Sequence, residues 1–382
     1  MNRVASYSGR DFASGKGLTV HVRGGVIEEV TDCKPEGLPL LSPGLVDLQV
    51  NGFAGFDLNE GDLTPEVVEA LSQALARVGV AAYLPTLITA SETALCQRLS
   101  AIRQAQQSLP FSKATIAGVH VEGPSISAKD GPRGAHPLAH VRPPCLDEFA
   151  RWQGAAQGLV RMVTLAPETP GAAAYIRALT AEGICVALGH CDATEEEIAL
   201  AVAAGASLST HLGNGIAATL PRHPNAIWAQ LSEDRLMASL ILDGHHLSRS
   251  TARAMLRAKG VGRTVLVSDS VTFAGMPPGR YSSSIGGDVE VSGDGKVSIA
   301  GTAYLAGSGS CLLDIVCRYQ AFTGFPAAEA LTMAVSNPAR VIGKTPALVP
   351  GAPATFLLLD ASRTEAPARP VEILHNGASM LP

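Results

Sequence analysis

Hydrophobic positions change their spacing in a regular way between residues 43 and 267. Apolar runs of strand length alternate there with segments in which apolar residues recur every three or four positions. Continuous apolar strands separated by amphipathic helices are typical of a parallel sheet covered by helices. The predicted strands span residues 45–50, 81–85, 115–121, 159–165, 184–189, 206–210, 236–242 and 265–267. Eight such strands favour a closed (β/α)8 barrel of the TIM type over an open doubly wound sheet.

Helical periodicity fills the segments between several of these strands. The predicted helices span residues 65–78, 92–106, 171–181, 195–203 and 248–258, with a further helix at 308–322. The stretch 275–301 breaks this rhythm, because it is rich in Gly, Pro and Ser and alternates in polarity over 288–299. That alternation predicts a β-hairpin inserted after the eighth strand. Such an insert is well placed to cover a site at the barrel mouth.

Both chain ends read as short strands, at 4–9 and 18–30 and again at 354–360 and 371–375. Gly24 and Gly25 mark a hairpin turn within the second of these segments. Strands at the two termini with none like them between predict one small domain assembled from both ends. We therefore expect an α/β protein with a small β-sandwich domain from residues 1–43 and 345–382, and a barrel from residues 44–344.

Composition and charge narrow the class of protein. The 382 residues exceed the roughly 250 that a barrel requires. A net charge of -5 without a basic block argues against nucleic acid as a partner. The seven cysteines form no C-x-x-C pair, which favours free thiols in a reducing compartment. No signal-peptide core or membrane-spanning apolar run is present, so we expect a cytoplasmic protein that does not bind membranes.

Polar residues stand where six of the eight predicted strands end, and the active site of a β/α barrel lies at those ends. A G-x-G-x-x-G motif does not follow the first strand, which disfavours a dinucleotide-binding fold. The strand-end residues are Asp47, Gln49 and Asn51, His120 and Glu122, His190 and Asp192, His211 and Asn214, Asp243 and His246, and Asp269. Core packing alone is a poor explanation for polar groups at so many strand ends.

Glu122, His190 and His211 form the predicted ligand set for a metal. One carboxylate and two imidazoles that leave a position for water are a recurring catalytic zinc arrangement. Any one of them alone is better explained as a buried, hydrogen-bonded residue, but three at strand ends favour a metal. Asp269 is the candidate general base and acid, since amide hydrolysis needs a proton taken from water and given to the leaving nitrogen. The alternative for Asp269 is a helix N-cap, which the Gly/Pro-rich segment after it disfavours.

A set of motifs in this order resembles the amidohydrolase superfamily and, within it, the N-acetylglucosamine-6-phosphate deacetylase family. The match covers nearly the whole chain. The motifs are Pro43-Gly44 with Asp47, Gln49-Val-Asn51-Gly52, His120-Val-Glu122-Gly-Pro124, Gly134-Ala-His136, Gly189-His190, Thr210-His211-Leu-Gly-Asn214 and Ser268-Asp269. The resemblance implies metal-dependent hydrolysis of the acetamide of N-acetylglucosamine 6-phosphate, which releases glucosamine 6-phosphate and acetate.

The resemblance also implies the number of metal ions. Many amidohydrolases carry His-x-His where this chain has Gln49 and Asn51, and amides are poor zinc ligands. Some members of the deacetylase family share the Gln-x-Asn pattern and use one metal. We therefore expect one divalent ion per chain, Zn²⁺ being the expected metal. His120 points the same way as Glu122 along the strand and is expected to support the ligands rather than to bind the ion.

Substrate contacts follow from the same resemblance. His136 matches a histidine that contacts the substrate near the reacting amide and, with the metal, stabilises the oxyanion. Asn214 and Gly215 match phosphate contacts, and His246 matches a substrate-binding histidine. Arg222 matches an arginine that family members supply across a dimer interface, so a homodimer is expected. A solvated surface arginine is the alternative interpretation of Arg222.

Two departures from the family pattern lie near the expected sugar pocket. Gly215-Ile216 replaces the usual Ala-Met, and two extra residues fall between Gly301 and Ser308. They leave open the same deacylase chemistry on another N-acyl amino sugar, or on an N-acyl amino acid without phosphate. A non-catalytic binding barrel is a third hypothesis, and the presence of all four ligand and base residues disfavours it.

Overall fold

The computed structural model describes residues 4–282, 287–302 and 304–381. Its strands are β1 (Ala5–Asp11), β2 (Gly17–Arg23), β3 (Val26–Cys33), β4 (Leu40–Pro43), β5 (Leu45–Val50), β6 (Gly52–Phe53), β7 (Phe56–Asp57), β8 (Val80–Ile88), β9 (Val119–Glu122), β10 (Val160–Leu165), β11 (Cys185–Leu188), β12 (Leu208–Ser209), β13 (Met237–Leu240), β14 (Thr264–Leu266), β15 (Gly279–Tyr281), β16 (Val289–Val291), β17 (Val297–Ile299), β18 (Phe356–Asp360), β19 (Arg369–His375) and β20 (Ala378–Ser379). Its helices are α1 (Pro65–Arg77), α2 (Glu92–Ser108), α3 (Pro110–Thr115), α4 (Leu146–Ala156), α5 (Ala172–Ala181), α6 (Glu195–Ala203), α7 (Ala226–Ser232), α8 (Arg249–Lys259), α9 (Leu312–Thr323), α10 (Ala327–Leu331) and α11 (Asn337–Val341). Short helical turns cover Leu138–His140, Val261–Arg263 and Thr332–Ser336.

Eight parallel strands form the barrel, in the order β14-β13-β12-β11-β10-β9-β8-β5. The two outermost strands meet through residues just beyond them. The Asp269 amide donates to the Gln49 carbonyl at 3.0 Å, and the Asn51 amide donates to the Ser270 carbonyl at 2.9 Å. These bonds close the sheet and bring the ends of β5 and β14 together. The predicted (β/α)8 barrel is confirmed.

Burial on both faces explains why the barrel strands read as continuous apolar runs. Every residue of β5 and of β9 is buried, including the polar ones. Side chains such as Leu48 and Leu165 are fully removed from solvent, and each stabilises the fold by about 1.5–3 kcal/mol. Several helices begin with a side-chain cap. Thr194 and Glu197 form a reciprocal capping box at the start of α6.

The chain termini form a second, seven-stranded sheet in the order β20-β19-β18-β4-β1-β2-β3. This sheet rolls up, because the Ile27 amide donates to the Ala352 carbonyl and the Ala354 amide donates to the Gly25 carbonyl, both at 2.9 Å. The rolled sheet encloses its own apolar core, to which Val20, Leu41 and Phe356 contribute. The small β-domain predicted from both termini is thus present. The domain limits at residues 43 and 345 stay a prediction.

Two predicted elements differ from the structure at their starts. The third barrel strand begins at Val119 rather than at 115, because residues 110–115 form α3. The Glu69 carboxylate accepts the backbone N–H groups of Phe111 at 2.9 Å and Ser112 at 2.8 Å, which satisfies the first turn of that helix. Helix α9 begins at Leu312 rather than at 308. The preceding residues run along the barrel end instead, where the Ser308 carbonyl accepts from the Val271 amide at 3.2 Å.

The insert contains the predicted hairpin and one strand more. Strands β16 and β17 form the hairpin, and β15 pairs with the other edge of β16. Residues 283–286 of the predicted insert lie outside the described residues. Phe273, Val289, Val291 and Val297 form a small apolar cluster that holds the three strands against the barrel. Within the described ranges, no helix has both the length and the apolarity needed to cross a membrane.

Candidate active site

A cavity of about 290 Å³ opens at the carboxyl ends of the barrel strands. Eight of the nine predicted site residues line it: Glu122, His136, His190, His211, Asn214, Gly215, His246 and Asp269. The ninth, Arg222, lies on an exposed loop away from this cavity. The insert supplies part of the wall through Val289 and Ile299. The strand-end argument therefore located the cavity, and the insert covers one side of it.

Three ligand-capable atoms converge in this cavity. The Nε2 atom of His211 lies 3.1 Å from Glu122 Oε1 and 3.1 Å from His190 Nε2, and His190 Nε2 lies 3.4 Å from Glu122 Oε1. Zinc ligands at about 2.0–2.2 Å in a tetrahedral arrangement are separated from each other by about 3.3–3.6 Å. The three side chains are buried and consist of one carboxylate and two imidazoles. Their spacing and chemistry fit a single divalent metal ion.

His136 offers a competing set with Glu122 and His190, in which the ligand atoms lie within 4.8 Å of one another. That set is wider than the set with His211. The His136 ring packs beside the His190 ring at a centroid distance of 4.3 Å, and its Nδ1 atom lies 2.8 Å from Thr89 Oγ1. We therefore take His211 as the third ligand and His136 as a neighbour of the metal position.

Backbone contacts fix the orientation of the ligands. The Nδ1 atom of His190 donates to the Pro132 carbonyl at 2.8 Å, which turns Nε2 toward Glu122. His190, His211 and Asp269 have φ values of 51°, 29° and 48°, in the left-handed region that non-glycine residues rarely adopt. Each such residue costs about 1–3 kcal/mol, so the surrounding fold must stabilise it. This strain aims all three side chains into the mouth of the barrel.

The two amides on the first strand each hold a carboxylate. The Nε2 atom of Gln49 donates to Glu122 Oε1 at 2.9 Å, and the Nδ2 atom of Asn51 donates to Asp269 Oδ1 at 2.8 Å. Residues two apart on a strand point to the same face, which is why both amides reach the cavity floor. In this structure the amides orient acidic groups, consistent with the expectation that they are not metal ligands.

Burial gives Asp269 a proton affinity that suits acid–base work. Desolvation, with a smaller contribution from Glu122, raises the pKa of Asp269 to about 6, against the lowering effects of His211, His246 and Asn51. A catalytic base is most efficient when its pKa lies near the working pH. Burial would also raise the pKa of Glu122, but the bonds from His190 and His211 outweigh it and hold that pKa well below its usual range. Glu122 therefore stays ionised while Asp269 can exchange a proton.

Two further histidines on the cavity wall have different electrostatic surroundings. Burial, reinforced by His190, lowers the pKa of His136 to about 3, so its ring is neutral. The Nδ1 atom of His246 lies 2.7 Å from Asp243 Oδ2. Burial would raise the pKa of Asp243, but its bonds with His246 and neighbouring amides lower it to about 2, so this carboxylate is ionised. His246 is therefore in contact with a negative charge, whereas His136 is not.

His120 lies beneath the cavity rather than in its wall. Its Nε2 atom is 2.7 Å from Thr164 Oγ1, which in turn lies 2.7 Å from Thr210 Oγ1. Burial lowers the pKa of His120 to about 4, and the ring is therefore neutral. This buried chain of hydrogen bonds links three barrel strands directly below the ligands. It matches the supporting position expected for His120, whose role stays a prediction.

The expected phosphate contacts are only partly assembled within one chain. Asn214 and Gly215 line the cavity, and the Asn214 side chain donates to the His211 carbonyl at 3.2 Å. Among the described cavity-lining residues none is Lys or Arg. Arg222 is exposed, three residues before Asn225, which caps the start of α7. The role of Arg222 across a dimer interface stays a prediction.

Several residues that line or contact the cavity were not identified from the sequence, among them Asp57, Asn59 and Thr89. Asp57 ends the short strand β7 and Asn59 follows it, and no periodic pattern marks either residue. Thr89 follows β8 and contacts His136. Its position directly after an apolar strand was a usable signal, because the same reasoning identified six other strand ends.

Comparison with known proteins places these features in a family. Residues 40–378 match the model of the amidohydrolase family. The chain is 35% identical over 326 residues to an N-acetylgalactosamine-6-phosphate deacetylase of Escherichia coli O157:H7, covering 84% of both chains. It is 35% identical over 357 residues to an N-acetylglucosamine-6-phosphate deacetylase of Bos taurus, covering 88% of this chain and 83% of the relative.

Solved structures share the whole architecture. A variant of the N-acetyl-D-glucosamine-6-phosphate deacetylase of Mycobacterium smegmatis, in complex with N-acetyl-D-glucosamine-6-phosphate, superposes with a TM-score of 0.83 at 27% identity, over 96% of this chain and 95% of that one. The corresponding enzyme of Thermotoga maritima gives a TM-score of 0.81 at 27% identity over 99% of both chains. On these grounds the chain belongs to the amidohydrolase family and is a hydrolase.

Proposed function

We propose that this chain hydrolyses the acetamide of N-acetylglucosamine 6-phosphate, releasing glucosamine 6-phosphate and acetate. The observation that carries the proposal is the convergence of Glu122, His190 and His211 within 3.4 Å of one another, in the cavity that Asp269 also lines. Several relatives at about 35% identity bear this activity or its galactosamine counterpart in their names. Cytoplasmic location and a homodimer belong to the same proposal.

Glu122, His190 and His211 are the residues that would hold one divalent ion per chain, and their donor set favours Zn²⁺. Such an ion, when bound, polarises an amide carbonyl and lowers the pKa of water at the site. Gln49 restrains Glu122 from below, and the Pro132 carbonyl restrains His190. The protein therefore supplies a rigid, buried ligand set.

Asp269 moves the proton in the proposed reaction. Asn51 occupies Oδ1 of Asp269, which leaves Oδ2 to accept a proton from the attacking water. The same carboxyl then delivers that proton to the leaving nitrogen, because an amide anion is a poor leaving group. His136, neutral and buried beside His190, donates a hydrogen bond to the carbonyl oxygen as negative charge develops there.

Recognition of the phosphate is assigned to Asn214, Gly215 and His246, with Arg222 contributed by a second copy of the chain. A guanidinium pairs with phosphate through two parallel hydrogen bonds, and a glycine backbone lets an anion approach closely. His246 lines the cavity, and its contact with Asp243 through Nδ1 fixes the orientation of the ring. Arg222 lies outside the cavity of its own chain, which is consistent with a contribution to a partner.

A second candidate substrate is N-acetylgalactosamine 6-phosphate, or an N-acyl amino sugar or amino acid without phosphate. The Escherichia coli relative named for the galactosamine substrate is as similar as the glucosamine relatives. The described cavity lining lacks Lys and Arg, which favours the candidates of this group that carry no phosphate. A non-catalytic binding barrel stays the weakest alternative.

The test is a substrate panel on metal-loaded protein. Acetate release from both phosphorylated acetylamino sugars, both unphosphorylated sugars and an N-acetyl amino acid gives kcat/KM for each, alongside metal analysis. We expect the highest value for N-acetylglucosamine 6-phosphate and one zinc per chain. A clear preference for unphosphorylated sugar contradicts the phosphate assignment. If protein that holds its metal releases no acetate from any of these substrates, the proposed deacetylase activity is contradicted.

A further inference from the structure

We propose that Thr89 fixes the tautomer of His136, so that His136 serves as a hydrogen-bond donor to the reacting carbonyl and is kept from becoming a fourth metal ligand. Thr89 would thus be a positioning residue that acts through His136. The inference rests on the proposed function for its catalytic consequence, but the tautomer itself can be measured without substrate.

Two groups of Thr89 meet the same ring nitrogen. The backbone N–H of Thr89 donates to Nδ1 of His136 at 3.4 Å, and Thr89 Oγ1 lies 2.8 Å from the same atom. A backbone amide can only donate, so this long contact favours a lone pair on Nδ1. A neutral imidazole carries one proton, which therefore resides on Nε2. With Nδ1 unprotonated, the hydroxyl donates to it at 2.8 Å and makes the main contact, since the N–H group at 3.4 Å shares the same single lone pair only weakly.

Burial requires the Thr89 hydroxyl to form a hydrogen bond inside the protein. Thr89 is 2% exposed and His136 is 4% exposed, and a buried hydroxyl needs a hydrogen-bond partner. Thr89 follows β8, in which Ile88 pairs with Glu122, so Thr89 sits beside Gly123. A Cβ atom on Gly123 would lie 2.2 Å from Thr89 Oγ1. The hydroxyl of Thr89 therefore occupies space that is free because Gly123, the residue after Glu122, has no side chain.

The tautomer decides what His136 can do. Its ring lies close enough to Glu122 and His190 for the three to form a ligand group, since their ligand atoms lie within 4.8 Å of one another. A ring with its lone pair on Nε2 would compete for the metal and occupy the position that a catalytic site keeps open. A proton on Nε2 prevents ligation and gives the carbonyl oxygen a donor. The Thr89 contacts select this second state.

The test compares Thr89→Val, which removes the hydroxyl at nearly constant volume, with Thr89→Ser, which keeps it. In metal-free protein labelled with ¹⁵N-histidine, two-bond ¹H–¹⁵N spectra report which nitrogen of each ring is protonated. The His136 signal is identified by its loss in His136→Gln. We expect the Nε2–H form in the parent and in Thr89→Ser. We expect a mixture of tautomers in Thr89→Val, because the backbone N–H that remains is a weak donor at 3.4 Å.

In the zinc-loaded enzymes we expect kcat to fall about 3- to 10-fold in Thr89→Val with KM unchanged, since one hydrogen bond contributes about 0.5–1.5 kcal/mol. Thr89→Ser should retain the parental kcat. If Thr89→Val fails to fold, Thr89→Ala takes its place with the same expectation. An unchanged tautomer in a folded variant overturns the proposal, whether or not kcat falls. If Thr89→Val shifts the tautomer but the parent protein hydrolyses none of the substrates in the panel, the Thr89 assignment stands. That result refutes the proposed function instead.

Discussion

Replacing Asn51 with leucine should shift the acid limb of the pH profile to higher pH. Asn51 donates to Asp269 Oδ1 at 2.8 Å, and this bond lowers the pKa of a carboxyl that burial raises to about 6. Leucine has the same branched side-chain shape, with bulkier methyl groups and no donor. The base must be unprotonated to act, so kcat/KM rises with pH through the pKa of Asp269 and levels off above it. Removing the donor raises that pKa, and activity is then lost at a higher pH.

The size of the shift follows from the strength of the bond. A hydrogen bond to a charged group contributes about 1.5–3 kcal/mol, and one pKa unit corresponds to about 1.4 kcal/mol. Water replaces part of the bond because the cavity is open, so about one unit is expected. A bound cation also lowers the pKa of Asp269, which moves the limb of both enzymes to lower pH but keeps the difference between them. At pH values below both limbs, the variant should be about tenfold less active.

The assay is kcat/KM from acetate release between pH 5 and pH 9, with metal content measured at each pH. The matched control is Gln49→Leu, which removes an amide two residues away that donates to Glu122 and not to Asp269. That variant should bind metal about tenfold more weakly. Once it is loaded with metal, the acid limb of its pH profile should match that of the parent protein. If Asn51→Leu retains metal and fold but shows the parental limb, Asp269 is not the titrating base.

Three further outcomes are expected. Asp269→Asn should reduce acetate release to background while metal content and the melting temperature stay near the parental values, because the metal ligands are untouched. Glu168→Ala should weaken metal binding about tenfold in a chelator competition, because Glu168 Oε1 accepts the Asp192 backbone N–H at 2.7 Å and so holds the loop that carries His190. Stripping the metal with a chelator should abolish activity and lower Tm, and adding Zn²⁺ should restore both, since an ion that binds only the folded chain stabilises it.

Much of the architecture follows from local patterns in the sequence. The alternation of strand and helix periods reflects burial that repeats along the chain, and the ligands were identified because parallel strands all end at one rim. Contacts between distant residues are harder to predict. Helix α3 depends on the Glu69 carboxylate, which lies 42 residues before Phe111, and no pattern within residues 110–115 reveals that partner. The role proposed for Arg222 requires a second copy of the chain, whose position the sequence does not predict.

The roles of the histidines illustrate this limit most clearly. His136 and His190 are both buried, both follow glycine-containing motifs, and their rings lie 4.3 Å apart. A carbonyl can only accept, so Pro132 requires a proton on Nδ1 of His190 and frees Nε2 to bind metal. An amide can only donate, so the Thr89 N–H group favours a lone pair on Nδ1 of His136, and the tautomer that we propose carries its proton on Nε2. In the proposed site one histidine is a ligand and the other a donor, and the backbone groups that favour these states lie 58 and 47 residues away. Residue type and strand-end position can locate such a site, but the division of chemical work within it depends on which backbone group the fold brings to each Nδ1 atom.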